Sequence, residues 1–468
     1  MKRYSIVFIM MCLLAVAGFA QQAKYVFYFI GDGMGVNHVN ATEVFQGEME
    51  GRRNPSLLLM STFPYTTVAT TYSMSNRVTD SSASGTALAT GHKTNNGVLG
   101  MLPDKQTAVS SIGVWAKKQG ARVGVSTSVS IDHATPGAFY AHQPNRNSYY
   151  EIGKQLASSG FDFFAGSDFL QPTGKKHDQP SLYKIVEKAG YTIYRGYDAY
   201  TKGGQKEKVL LLQPEGKPAK SLPYAIDRQA DDMSLQQIVK AGIDFFSRDL
   251  SKGFFFMIEG GQIDWANHSH DAGTMVQEVK DLDQAVKEAY QFYLQHPDET
   301  LIVITADHET GGLGLGINNI YDLNTKVLAE QKMSERVFTT YLNSLRKETK
   351  NKVTWEMVEK ALKENFGFWN QIKLTSKQEE SLKQIYKESF SDKEVALKES
   401  EYQKDEPLSA AAIKIMSEQA LLGWTSGGHT AEWVPVFAIG AGANLFCKRT
   451  DNAEIPRLIA KAAGYIPE

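Results

Sequence analysis

Four apolar runs in this 468-residue chain end on side chains able to bind a metal or carry a proton. Asp32 follows Tyr-Val-Phe-Tyr-Phe-Ile in IGDGMG, and Glu259 follows Phe-Phe-Phe-Met-Ile. Asp307 and His308 follow Leu-Ile-Val-Ile-Thr, while Asp132, His133 and Thr135 come shortly after Arg122–Thr127. Taken singly, each has a plain structural explanation; an aspartate in Gly-Asp-Gly is an ordinary turn residue. Together they deliver acids, imidazoles and hydroxyls to one edge of a sheet, the edge where open parallel sheets bind ligands. Asp264 and His268, in EGGQIDWANH, are four residues apart and share one face of a helix, a spacing that suits a single metal ion. His429, in SGGHT, precedes the last apolar run. Carboxylates and imidazoles without a thiolate suit catalytic zinc, whereas the oxygen ligands of Glu259 and Thr135 suit Mg²⁺.

The candidate nucleophile lies in Thr79-Asp80-Ser81-Ser82-Ala-Ser-Gly-Thr-Ala. Ser81 at the start of a small-residue helix would sit where free amides and the helix dipole favour an anion. A neighbouring metal would lower its hydroxyl pKa. On this segment alone, an ordinary N-cap at Asp80 or Ser81 is the better explanation.

These residues need a rigid frame. Strands are expected at Tyr25–Ile30, Thr66–Tyr72, Arg122–Thr127, Phe161–Ala165, Gly253–Ile258, Leu301–Thr305 and Val434–Ile439. Several are continuous apolar runs, the pattern of strands covered on both faces. Helices fit between them at Ser81–Thr90, Ser234–Ser247 and Thr274–Gln295, so the alternation predicts an α/β layered sandwich around a large, mostly parallel sheet. Residues 318–421 differ. They are rich in Lys and Glu, with helical patterns at Glu335–Arg346, Thr354–Phe366 and Ser376–Phe390, and read as a helical insertion within residues 21–468 rather than a separate domain.

Composition narrows the functional classes. With 42% hydrophobic and 22% charged residues the chain is globular rather than disordered. Fifty Lys and Arg against 52 Asp and Glu leave no basic excess for a nucleic-acid surface. Residues 1–20 resemble a secretory signal: Lys2 and Arg3, a 12-residue apolar run from Ile6 to Ala17, then Gly18 and Ala20 at small-residue cleavage positions. Its removal takes Cys12 and leaves Cys447 alone, so no internal disulfide is expected, and shifts the net charge from −2 to −4. The mature protein is then expected in the periplasm or outside the cell, with no membrane association.

Six motifs in order, IGDGMG, TDSSASGTA, HATPGAFYAHQPNR, EGGQIDWANH, TADHETGG and SGGHT, make the chain resemble the alkaline phosphatases. The resemblance implies hydrolysis of phosphate monoesters with two zinc ions and one magnesium, commonly in a homodimer. It implies Ser81 as the nucleophile that becomes phosphoserine and also contacts the second zinc. It further implies Asp264, His268 and His429 at the first zinc, Asp32, Asp307 and His308 at the second, and Asp32, Thr135 and Glu259 at magnesium. Arg146, eleven residues after Thr135, matches the arginine whose planar fork holds the phosphate oxygens; Arg122 or Arg52 could substitute, but neither has that spacing. His133 and Trp265 match a variant lacking the aspartate and lysine that some members carry there. The competing readings are a phosphodiesterase or sulfatase-like relative on the same metal core and a non-catalytic zinc- or phosphate-binding protein. A sulfatase would need a Cys/Ser-x-Pro-x-Arg segment, which TDSSASG is not.

Overall fold

The computed structural model describes residues 22–390, 398–399 and 404–467. The signal-like residues 1–20 and part of the inserted segment lie outside them. Ten strands form the central sheet: β1 (Tyr25–Gly31), β2 (Tyr65–Thr70), β3 (Arg122–Thr127), β4 (Phe163–Gly166), β5 (Thr192–Arg195), β6 (Val209–Leu212), β7 (Phe254–Gly260), β8 (Thr300–Thr305), β9 (Val434–Gly440) and β10 (Thr450–Asp451). Their spatial order is β10-β2-β9-β8-β1-β7-β3-β4-β6-β5. Only β9 runs against its neighbours, pairing antiparallel with both β2 and β8. The sheet is therefore mostly parallel, as the sequence predicts.

The apolar runs become central strands because both faces are covered. Every residue of β1, β7 and β8 is buried. Aromatic rings fill the layer beneath, with Phe27–Phe254 centroids 5.1 Å apart, Phe246–Phe254 4.8 Å and Phe163–Phe256 5.7 Å, separations that favour offset and edge-on contacts. Two strands of the sheet's far end, β5 and β6, have four residues each and escape a sequence reading, since such short runs carry little periodicity. β10 is shorter still.

The helices that matter to the site are α1 (Val36–Met49), α2 (Ser81–Thr90), α3 (Leu235–Ser247), α4 (Gln262–His268) and α5 (Ala272–Gln295). α3 opens with a Ser234–Gln237 capping box, and Asp271 caps α5 by accepting from the Thr274 amide at 3.0 Å. Between β8 and β9 the inserted segment forms α6 (Glu335–Glu348), α7 (Trp355–Phe366), α8 (Ser376–Ser389) and α9 (Pro407–Gln419). It is tied to the core by charge-assisted contacts. Glu48 at the end of α1 accepts from the Thr325 hydroxyl (2.6 Å) and the Lys326 amide (2.7 Å). Asp271 accepts from Gln331 (2.7 Å) and from the Glu335 amide (2.9 Å). None of the described helices is long and apolar enough to cross a membrane.

Candidate metal centre

Three adjacent strands, β8, β1 and β7, present their carboxyl ends side by side. Glu259 lies on β7 in register with Ile30, so Asp32 comes two residues beyond that level, just past the end of β1. Asp307 and His308 come just after β8. Behind β7 the chain turns into α4, whose single turn places Asp264 and His268 on one face; Nε2 of His268 lies 3.4 Å from Asp264 Oδ1. Gly33 lets Asp32 and Asp264 meet. Its φ of +73° is in the left-handed region, and a Cβ there would stand 2.7 Å from the Asp264 Cα.

His429 arrives from the far side of the insertion. It belongs to a two-stranded ribbon in which His429 pairs with Thr310 and Thr430 with Glu309. The His308 and His429 rings lie 3.6 Å apart, nearly parallel, and those of His268 and His429 5.1 Å apart. The resulting groups are Asp264–His268–His429, Asp32–Asp307–His308 and Asp32–His133–Glu259, each with ligand-capable atoms within 4.8 Å of one another. The third group contains His133, which the sequence reading left outside the ligand set. Thr135 is fully buried nearby, in a turn that packs against α2 so tightly that a Cβ on Gly85 would meet the Thr135 Cα at 3.2 Å.

Ser81 begins α2 behind the N-cap Asp80, and its hydroxyl lies 3.2 Å from Nε2 of His308. Asp80 accepts from the Ala83 amide (3.0 Å), the Ser82 hydroxyl (2.6 Å) and Nη1 of Arg146 (3.1 Å). Burial pushes the Asp80 carboxyl up, but the Arg146 guanidinium and these hydrogen bonds outweigh it and hold the group below its usual value. Asp80 thus fixes both the helix start and the arginine. Arg122 and Arg52 are elsewhere: Arg122 bonds the Phe245 carbonyl and Arg52 pairs with Glu50. His270 accepts no place in the groups; its Nε2 lies 2.7 Å from the Ser426 carbonyl and its ring stacks on Trp424. His142 sits on the Gly100 carbonyl at 2.7 Å.

Electrostatics distinguish this edge from ordinary polar core. Asp32, Glu259, Asp264 and Asp307 are all fully buried. Burial, then the charges of Asp307, Asp264 and Glu259, push Asp32 far above the carboxylate range; burial and Asp264 do the same to Asp307. Glu259 is pushed up to about 7 by burial, against smaller opposing effects of the Thr127 and Thr135 hydroxyls. For Asp264 burial would raise the pKa, but His268, His429 and His308 prevail and lower it. His308 is held well below its usual value, by burial first and then by His429, and is therefore neutral. Among the described residues, neither oxygen of Asp32, nor Oδ2 of Asp264, nor Nε2 of His429 has a hydrogen-bond partner. Crowded buried carboxylates are costly unless cations compensate them. The donor set therefore fits divalent metal ions.

The imidazoles are also oriented for that task. His268 Nδ1 lies 2.8 Å from the Gly427 carbonyl and His429 Nδ1 2.8 Å from the Thr79 carbonyl. A carbonyl oxygen only accepts, so Nδ1 carries the proton and Nε2 turns its lone pair to the centre.

A mostly parallel α/β sheet with buried metal-ligating groups and a serine at its carboxyl edge defines a metal-dependent hydrolase of the layered α/β class. The alkaline phosphatase family model matches residues 23–162 and 165–465, and the chain belongs to that family. It is 30% identical over 452 residues to alkaline phosphatase 4 of Bacillus subtilis, covering 94% of this chain and 88% of that protein. The structure of a cold-active alkaline phosphatase from a psychrophilic Shewanella superposes with a TM-score of 0.79 at 29% identity, covering 94% of this chain and 99% of that one. The Thermus thermophilus alkaline phosphatase shares the fold, with a TM-score of 0.77, 24% identity and coverage of 96% and 93%. The protein is thus a metal-dependent enzyme of a phosphomonoester-hydrolysing family.

Proposed function

We propose that the enzyme cleaves phosphate monoesters in two in-line displacements through a phosphoserine on Ser81. In this reading Asp264, His268 and His429 hold one zinc, Asp32, Asp307 and His308 hold a second beside Ser81, and Asp32, Thr135 and Glu259 hold magnesium with His133 adjacent. Bound there, the divalent cations supply positive charge and Lewis acidity, offsetting the crowded carboxylates, lowering the serine pKa and stabilising oxygens that gain charge.

The chain's own residues do the positioning. The observation that carries the proposal is Ser81, buried at the start of α2 with its oxygen 3.2 Å from His308 Nε2 and with Arg146 tethered one residue away through Asp80. The first turn of α2 orients backbone amides toward the incoming phosphoryl group. Arg146 grips two non-bridging oxygens, and Asp80 spares the guanidinium a search for its pose. Ser81 Oγ forms a bond to phosphorus as the ester oxygen departs with its alcohol. Water then displaces Ser81 Oγ, restoring the serine and releasing inorganic phosphate; positioning and charge stabilisation supply most of the rate. Residues 318–421 act as an insertion within one catalytic domain. The signal-like residues 1–20 support export to the periplasm or the medium, and homodimer formation accords with the family resemblance.

The test is hydrolysis of p-nitrophenyl phosphate by the purified protein, before and after chelator dialysis and with zinc and magnesium restored. Activity should vanish on dialysis and return with both metals. Ser81→Ala should lower kcat by at least about 10³-fold, the scale of losing a nucleophile. Metal-loaded protein that leaves monoesters intact, or a Ser81→Ala variant as active as the parent, would refute the proposal.

A further inference from the structure

The two groups assigned to zinc share no protein ligand, yet the hydroxyl of Thr310 hydrogen-bonds to both. Its oxygen lies 2.5 Å from Oδ1 of Asp264, in the first group, and 3.2 Å from Nδ1 of His308, in the second. Thr310 is fully buried, so no bulk water replaces these partners. A hydroxyl has a single proton to give. A carboxylate oxygen only accepts, and Asp264 Oδ1 is the nearer of the two partners, so that proton goes to Asp264. The Thr310 oxygen must then accept from His308, which places the imidazole proton on Nδ1. Nε2 keeps its lone pair, and Nε2 is the atom 3.3 Å from both Asp32 and Asp307.

The hydroxyl is itself held in place. The Thr310 amide donates to the Gly33 carbonyl at 3.2 Å, and the same carbonyl accepts from Asn267 at 3.1 Å. The Gly33 amide in turn donates to Asp307 Oδ1 at 3.1 Å. On the opposite strand of the ribbon, the partner of Thr310 is His429, the third member of the Asp264 group. One threonine therefore sets a carboxylate of one group and the tautomer of an imidazole in the other, through a directional chain from His308 to Thr310 to Asp264.

We propose that Thr310 is a positioning residue that couples loading of the two zinc sites, so that filling either one pre-orients a ligand of the other. This rests on the metal assignments made above. Partners that orient ligands are worth about 10- to 100-fold in metal affinity.

The experiment titrates Co²⁺ into the metal-stripped full chain with Mg²⁺ saturating, following the visible absorption of the bound ion. Competition against a chromophoric chelator gives the affinities. The parent protein should fill both sites in one transition. Thr310→Val, and likewise Thr310→Ala, should fill them in two separated steps with at least tenfold weaker affinity, and Thr310→Ser should restore the single transition. Thermal unfolding of the metal-stripped forms separates misfolding from lost coupling, and Thr310→Ala serves if the valine does not fit. A valine or alanine variant that titrates like the parent, or a serine variant that behaves like valine, overturns the coupling. A parent protein that takes up no Co²⁺ overturns the metal assignment instead.

Discussion

The inserted helices and the carboxyl edge of the sheet treat polar groups in opposite ways. In the insertion every helix start among α6 to α9 is satisfied locally. Ser334, Thr354 and Thr375 accept from the amide three residues on, and Glu406 caps α9 by accepting from Leu408 and Ser409. Apart from the buried Glu335 and the Arg346–Glu406 pair, charges on these helices mostly face solvent, and several pair one turn apart, as in Lys363–Glu359 and Lys383–Glu379. At the edge, four fully buried carboxylates stand within reach of one another, and among the described residues several of their oxygens find no donor. The insertion follows local rules that stabilise helices. The edge breaks the rule against crowded buried charge, as functional sites do when a ligand completes them.

The sharpest stability test of that contrast lies at one pair in the insertion. Arg346 donates to the fully buried Glu406 at 2.7 Å and to the Ser389 carbonyl at 3.1 Å, and its guanidinium lies 4.1 Å from the centre of the Phe390 ring. Arg346→Met leaves the buried Glu406 carboxyl answered, among the described residues, by the Leu408 and Ser409 amides. Breaking a buried pair in this way costs about 3–5 kcal/mol, and the two remaining amides put the cost at the lower end. Denaturant unfolding should show that loss while kcat/KM of the folded fraction stays unchanged. A tenfold fall in kcat/KM would mean that the insertion helps shape the site, and the contrast would fail.

Arg146→Ala should show the reverse pattern. Removing a charge-assisted contact to phosphate costs about 1.5–3 kcal/mol, or roughly 10- to 100-fold in kcat/KM. Stability should change by less, since Asp80 keeps its bonds to Ser82 and Ala83. Steady-state kinetics beside thermal unfolding decides this. A variant that unfolds readily yet hydrolyses normally would make Arg146 a structural partner of Asp80.

What could be read from the sequence follows the same division. Asp264 and His268 were legible because helical periodicity alone puts residues four apart on one face. The strand-end acids were legible because long buried strands announce themselves as apolar runs. His133 was not: nothing in Asp132-His133-Ala134-Thr135 says which side chain turns toward Asp32 and Glu259. In the structure Asp132 turns away to accept from the Leu170 amide at 2.9 Å, while His133 joins the group. Thr310 was equally silent, since a hydroxyl two residues past a ligand carries no signal of its own. Its role depends on the ribbon that folds His429 back from beyond the insertion. β5 and β6 were missed because four residues are too few to show a period.

The smallest effect tests the insertion on its own terms. Thr354 starts α7 by accepting from the Met357 amide at 3.4 Å, a long bond at a solvent-facing end. Thr354→Ala should cost about 1 kcal/mol or somewhat less, the usual worth of such a cap. The loss should appear in thermal or denaturant unfolding, with both metal affinity and kcat/KM unchanged, because α7 contributes no residue to the three metal-ligating groups. If the alanine variant instead weakens metal binding at equal stability, then the local order of the insertion feeds into the edge. The two regions would then be one cooperative unit, despite the opposite rules their sequences obey.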